Sequence, residues 1–222
     1  MNFNAQHNKK TAPVWHLLVA IAIMFAIGAG TYAAAQVTVP PTPTQITPEA
    51  GNTAYLVGHA FGTQGYTCLP TPTGGTAWNV NPARPEATLF TDVFGQDFEI
   101  ITHFASIDTN PNGFAPKPVS LSGNATWQSS LDTSKVWAVA VGSIPAGSDP
   151  QSCPNNGAIP CLLLQSIGNQ KGPTGGNLLA KATFVQRLNT KGGAAPTTAC
   201  SVGQTQLVPY SADYYFYKAD QK

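Results

Sequence analysis

Ionisable side chains are scarce in this chain. Only 9% of its 222 residues are Asp, Glu, Lys or Arg, and eleven basic residues oppose ten acidic ones. Nucleic-acid binding needs a basic stripe that neutralises phosphates, so the sequence predicts no nucleic-acid partner. Thr, Asn, Gln, Ser and Gly are abundant instead, and they predict a surface hydrated by neutral hydrogen bonds.

Common cofactor and catalytic motifs are absent as well. The chain has no G-x-G-x-x-G for a dinucleotide, no G-x-S-x-G for a serine nucleophile and no C-x-x-C for zinc. Only two of the four histidines, His59 and His103, lie beyond residue 35. These absences predict no cofactor and favour a non-enzymatic protein over an enzyme.

Helical periodicity is lacking beyond residue 35, where no stretch repeats apolar residues every 3.6 positions for more than two turns. Short apolar or alternating runs separated by Gly, Pro and Asn take its place, a spacing typical of β-sandwiches and barrels. The sequence predicts an all-β, single-domain sandwich or barrel of about ten short strands, stabilised by disulfides. The ten runs are AYLVGHAF, GYTCL, TAWNV, EATLFTDV, FEIITHFA, ATWQSS, SKVWAVAVGSI, CLLLQSI, LLAKATFVQRL and VPYSADYYFYKA.

The first 35 residues are typical of a secretory signal peptide. Lys9 and Lys10 give a basic start, residues 14–27 are apolar, and alanines at 33–35 suit a signal peptidase. An uncleaved membrane anchor is the alternative, since the apolar stretch is just long enough to cross a bilayer. We expect an extracytoplasmic protein, secreted, periplasmic or on the cell surface, with no membrane contact beyond this segment.

Two further regions follow the leader. VTVPPTPTQITP has four prolines and no charge, so residues 36–49 are predicted to form an extended Pro/Thr-rich linker. Residues 50–222 then form the β-rich domain, which is long enough to bury a sizeable core.

All four cysteines lie in the exported part, where two disulfides with three alternative pairings are expected. Cys153 and Cys161 flank a Pro-Asn-Asn-Gly turn, which favours a local bridge between them. That leaves Cys68 to pair with Cys200.

Several strings resemble one known family. QGYTC, PEATLF, THFA, TWQ, IPCLLL, FVQRLNTKGGAAP and VPYSADYYFY follow one order over residues 50–218. The chain resembles the domain-of-unknown-function 3455 family of exported bacterial and fungal proteins. The resemblance implies a secreted, β-rich domain without an established activity. Cys161 and Gln128 depart from the family's pattern, and residues 105–125 are an insertion.

His103 is the first candidate for catalysis. It lies across a predicted hairpin from Glu86 and Asp92, and a histidine beside a carboxylate could act as an acid/base pair or bind a metal. A buried imidazole bonded to a backbone carbonyl is the alternative. His59 lies in a strand between apolar neighbours and favours the same structural role.

The stretch FVQRLNTKGG suggests an anion site. Arg187 and Lys191 lie beside Gly192 and Gly193, whose backbone N–H groups could form a concave anion cradle. The alternative is a glycine turn in which Arg187 bonds a carboxylate or loop carbonyls.

A second loop resembles half of a calcium-binding loop. Asp108, Asn110 and Asn112 match D-x-N-x-N-G, but Val119 replaces the bidentate Glu that closes such a loop. A turn bonded to its own backbone is the alternative. Asn124 begins an N-x-T glycosylation acceptor sequence.

The leading interpretation is a non-enzymatic binding or structural module of the envelope or the extracellular space. A secreted hydrolase using His103 is one alternative. A carbohydrate-binding module that exposes Trp78, Trp127, Trp137 or the tyrosines of the last run is another. Carbohydrate and self-association are the partners left open.

Overall fold

The computed structural model describes residues 37–106 and 123–221, and for residues 82–84 it describes the backbone alone. The predicted signal peptide therefore lies outside the described residues. From Val37 onward the described residues belong to one compact unit. No helix in this part of the chain has the length and apolarity to span a membrane.

Eight antiparallel strands close into a barrel in which each strand pairs with its neighbour in sequence and β8 pairs with β1. A 3-10 helix at Thr44–Ile46 precedes them. The strands are β1 (Asn52–Pro70), β2 (Thr76–Val93), β3 (Gln96–Ser106), β4 (Asn124–Ser129), β5 (Lys135–Ile144), β6 (Cys161–Gln170), β7 (Phe184–Gly192) and β8 (Thr205–Ala219).

The all-β prediction is confirmed as a barrel, in which the ten predicted runs form eight strands. AYLVGHAF and GYTCL are one strand, β1, and TAWNV and EATLFTDV are one strand, β2. The glycine at position 62 does not break β1; it lets β2 approach, because an added Cβ would overlap the carbonyl oxygen of Glu86.

The barrel interior is a continuous hydrophobic core. Inward side chains alternate with outward ones along each strand, as the pleat requires. The buried members include Leu89, Ile101, Val136, Leu164, Val185, Phe216 and Trp127. Leu179 and Ala182, from the segment before β7, complete the cluster.

A second hydrophobic cluster covers part of the outer face. Ile144, Leu163, Phe184, Tyr215 and Tyr217 pack there with the Cys153–Cys161 bridge. The aromatic residues of β8 are divided between the two clusters. Tyr214 and Phe216 lie in the interior core, and Tyr215 and Tyr217 lie in the outer cluster. Both faces of β8 are therefore covered.

The segment formed by residues 37–46, which precedes β1, packs onto this outer cluster. Ile46 is fully buried, and Val37 and Val39 pack against the same residues. Gln186 Nε2 donates a hydrogen bond to the carbonyl oxygen of Ile46 at 2.6 Å. The stretch from 37 to 46 was expected to be an extended linker and is instead held by apolar contacts and this bond.

Replacing Ile46 with alanine is expected to lower the free energy of unfolding by about 2 kcal/mol, the low end for a buried isoleucine. The loss is limited because the segment can detach while the barrel persists. Urea denaturation followed by circular dichroism measures it. Thr44→Ala, at an exposed position of the same helix, should stay within about 0.5 kcal/mol of the wild type. An Ile46→Ala protein as stable as the wild type would show that the segment is a free tether.

The two ends of the barrel differ. At one end, hereafter the loop end, the connections are 71–75, 107–123, 145–160 and 193–204. At the other, the turn end, they are 94–95, 130–134 and 171–183. The Asp132 carboxylate holds the turn end together by accepting hydrogen bonds from Leu178 N–H and from the hydroxyl of Ser134.

Both disulfides lie at the loop end. Cys68 near the end of β1 is bonded to Cys200, and Cys153 is bonded to Cys161 at the start of β6. The predicted pairing is therefore confirmed. The bridges fix two of the longer connections to the barrel rim.

Candidate functional site

Polar and aromatic side chains converge inside the barrel toward the loop end. They come from five strands, and we call them the interior polar cluster: Tyr66, His103, Trp127, Arg187, Tyr210 and Tyr214. Every one comes from a string that carries the family resemblance. Toward the turn end, apolar side chains such as Leu89, Ile101 and Phe216 line the interior.

His103 lies at the centre of this cluster. Its imidazole stacks on Trp127 with ring centroids 4.2 Å apart and contacts Tyr214 at 5.6 Å. Its Nδ1 lies 2.9 Å from the carbonyl oxygen of Thr126. Because a carbonyl only accepts, Nδ1 carries the proton and Nε2 is left as an acceptor. Burial lowers the pKa of His103 to about 4, so the ring is neutral at pH 7.

Trp127 carries a donor that the protein does not use. Its side chain is 1% exposed, and its Nε1–H donates to no described atom. A buried N–H without a partner costs about 1–3 kcal/mol, so such groups are uncommon unless a bound molecule accepts the bond.

Tyr210 is held in its neutral form. Burial raises the pKa of Tyr210 well above its usual range, with a smaller contribution from Tyr214. The hydroxyls of Tyr210 and Tyr214 are 3.1 Å apart, so one donates to the other and one proton stays available. Tyr66 donates its proton to the carbonyl oxygen of Gly193 at 2.6 Å.

Arg187 supplies the charge. It shares the inward face of β7 with Val185 and is paired in register with Leu162 and Tyr214. Its Nε and Nη2 donate to the carbonyl oxygen of Pro160 at 3.2 and 2.9 Å. Its field lowers the pKa of His103, which lies deeper in the barrel.

The cluster suits binding better than acid/base chemistry. A general base works best with a pKa near the operating pH, whereas burial takes His103 to about 4 and Tyr210 upward. Free N–H and O–H donors outnumber acceptors there, since His103 Nε2 is the main acceptor. The arrangement can therefore bind a molecule rich in acceptor atoms.

The predicted pair of His103 with Glu86 or Asp92 is not formed, which is a correction. His103 is paired in register with Ala87, and its ring faces inward, whereas Glu86 lies on the outer face of β2. Asp92 lies near the hairpin end and accepts a bond from Gly95 N–H at 3.0 Å. The alternative of a buried imidazole bonded to a carbonyl is the one observed.

The predicted anion cradle at Gly192 and Gly193 is not observed either, and the glycine turn given as the alternative is found instead. Gly193 N–H donates to Pro209 O at 2.8 Å, so it is not free for an anion. Both glycines have positive φ, and an added Cβ at 193 would crowd Tyr210. Lys191 is exposed, and Arg187 turns into the barrel and binds a loop carbonyl.

The remaining predicted positions take different places. Asp108, Asn110 and Asn112 lie outside the described residues, so the calcium loop stays a prediction. Trp137 is buried on the outward face of β5, between the inward Val136 and Ala138, and its Nε1–H also lacks a described partner. Trp78 donates to Thr198 O at 3.0 Å.

Sequence reasoning missed a second polar group, on the outer face. His59 Nδ1 lies 2.7 Å from Asp213 Oδ1, and Asn189 Nδ2 donates to the other carboxylate oxygen at 2.8 Å. Asn189 has positive φ at an irregularity in β7. Only the closure of β8 onto β1 brings these residues together, so no local pattern predicts the pair.

An open cavity of about 370 Å³ lies on the outer face of β1–β3. Phe61, which is 60% exposed, and Phe104 line it together with Thr88, Thr102 and the outward Glu86. Among the described residues, the exposed aromatic side chains are phenylalanines; Trp78 is half-buried, and Trp127, Trp137 and the β8 tyrosines predicted for sugar stacking are buried.

Comparison with known proteins returned one match. Searches of curated proteins and of solved structures found nothing similar. The family described as "Protein of unknown function (DUF3455)" matches residues 48–218, which is most of the chain and all eight strands apart from the last residue of β8. The chain therefore belongs to the DUF3455 family of proteins of unknown function.

Proposed function

We propose that this protein is an exported, non-enzymatic binding module that binds a small aromatic molecule at the loop-end mouth of the barrel interior, where Arg187 is partly exposed. An eight-stranded barrel is just wide enough to hold side chains or one small ligand. The observation that carries the proposal is the unused N–H of Trp127, buried among three other aromatic rings.

The surroundings of Trp127 support a flat, apolar ligand with polar atoms at one end. The rings of His103, Tyr214 and Phe216 lie 4.2–6.4 Å from that of Trp127 and offer stacking and edge contacts. Toward the loop end, Tyr210 and Arg187 add hydrogen-bond donors. Small-molecule sites commonly combine such apolar walls with a few directed polar groups.

Export rests on the disulfides and the leader sequence. Disulfides form and persist in oxidising compartments, and all four described cysteines are paired. The leader at residues 1–35 has the composition that directs secretion. A binding module that works outside the cytoplasm accounts for both features.

The test uses 8-anilinonaphthalene-1-sulfonate, an aromatic anion whose fluorescence rises in apolar sites. We expect one molecule to bind per barrel, as measured by calorimetry. Trp127→Phe keeps a large ring but removes the N–H, and it is expected to weaken binding about tenfold, the cost of a lost hydrogen bond to a charged acceptor.

Two variants serve as controls. Trp137→Phe removes an equally buried and equally unpartnered N–H from the other face of the sheet, so it should leave the affinity unchanged. Phe61→Ala removes an exposed ring from the outer cavity. Equal affinity of the wild type and Trp127→Phe would rule out the interior site. A loss confined to Phe61→Ala would locate binding on the outer face instead.

A further inference from the structure

We propose that the ligand is an aromatic carboxylate whose acid group is bound by Arg187; this rests on the interior binding site proposed above. The inference names the charge and chemical class of the ligand. It depends on the electrostatics of Arg187 and on the hydrogen-bonding capacity of its neighbours.

Arg187 is a partly buried cation without a counterion among the described residues. Its side-chain bonds go to the carbonyl oxygen of Pro160, a neutral acceptor. The ion pair in the described chain joins His59 to Asp213, on the outward face. A guanidinium has five N–H groups, and those bonds use one on Nε and one on Nη2. Three N–H groups and a full charge remain.

No described carboxylate shares the interior with Arg187. Asp213 lies between the inward Ala212 and Tyr214 and faces out, and Glu86 lies beside the inward Ala87 and faces out. Among the described titratable groups of the interior, burial lowers the pKa of His103 and raises the pKa of Tyr66 and Tyr210, so these three carry no charge at pH 7. Arg187 therefore supplies a positive charge that no described carboxylate of the interior balances.

The neighbours of Arg187 add donors rather than acceptors. The Tyr210–Tyr214 pair has one proton to spare, and Trp127 has its N–H. A carboxylate accepts through two oxygens and about four lone pairs, which matches this surplus. Arg binds carboxylates with two parallel N–H···O bonds, so charge and geometry favour the same group. The His103 Nε2 acceptor suits a hydroxyl elsewhere on the ligand.

Two isosteres test the class directly: 1-naphthoate and 1-naphthamide, which have the same ring and nearly the same shape but differ in charge. Calorimetry with the full mature protein at pH 7 should give naphthoate an affinity about thirtyfold above naphthamide, within the range for hydrogen bonds to charged groups. Arg187→Met should weaken naphthoate binding by a similar factor and change naphthamide binding by less than about threefold.

Arg187→Lys separates charge from structure. It keeps the positive charge and loses the planar fork, so it should retain part of the preference for naphthoate. Near-ultraviolet circular dichroism confirms that each variant keeps its tertiary packing. Equal affinity for the two isosteres, or an unchanged preference in folded Arg187→Met, would overturn the ligand class. If Trp127→Phe still weakened the binding of both isosteres, the interior binding site would stand although the proposed ligand class had failed.

Discussion

Replacing both Cys68 and Cys200 with alanine is expected to lower the free energy of unfolding by about 5 kcal/mol. The bridge joins residues 132 positions apart. Closing so long a loop removes much of the entropy of the unfolded chain, and the chain-entropy relation gives this magnitude. Most small domains are stable by only about 5–15 kcal/mol, so the variant should approach complete unfolding at room temperature.

The second bridge is the matched control. Cys153 and Cys161 are only 8 positions apart, and the same relation gives about 2.5 kcal/mol for Cys153→Ala with Cys161→Ala. Urea denaturation of both double variants, followed by far-ultraviolet circular dichroism, provides the comparison. Equal losses in the two variants would show that local packing at the loop end, rather than loop length, sets the contribution of each bridge.

Acidification is expected to destabilise the protein by about 3 kcal/mol between pH 7.5 and pH 4 through His103 alone. Burial lowers the pKa of this side chain from 6.5 to about 4 in the folded protein. The unfolded state takes up the proton more readily than the folded state. The contribution of neutral His103 to the free energy of unfolding is therefore fully present above pH 6.5. It is lost as the pH falls from 6.5 toward 4.

His103→Gln isolates this effect. Glutamine keeps a donor for the Thr126 carbonyl but does not titrate, so the variant should lose about 3 kcal/mol less than the wild type over the same pH interval. The measurement is urea denaturation at pH 7.5 and pH 4. Parallel pH curves for the wild type and His103→Gln would show that His103 is not buried in its neutral form.

The failure of the His103–Glu86 prediction has a local cause. The two-residue turn at Phe94 and Gly95 pairs Val93 with Gln96, and a regular ladder from there would bring Glu86 opposite His103. A register shift between Leu89 and Phe90 places Ala87 there instead. One extra residue in a strand reverses the faces of all that follow, and the sequence around Ile100 carries no signal for it.

The interior polar cluster was visible in the sequence only as separate residues. His103, Trp127 and Arg187 each belong to a string that the family resemblance singles out, and each was given its own role. Their convergence depends on the register of five strands and on β8 closing onto β1, a pairing of segments about 150 residues apart. No local sequence pattern predicts such long-range pairing.

The sequence alone determined the all-β class and the disulfide partners, because period-two alternation, cysteine count and turn residues act locally. The tertiary structure decided that the sheet closes, that two pairs of runs merge into long strands, and that the amino-terminal segment packs on the outer face. It also decided which side of each strand faces the interior. These outcomes depend on strand register and on barrel closure. Closure leaves no exposed strand edge, and it requires pairing between segments that are far apart in the chain, so no single segment determines it.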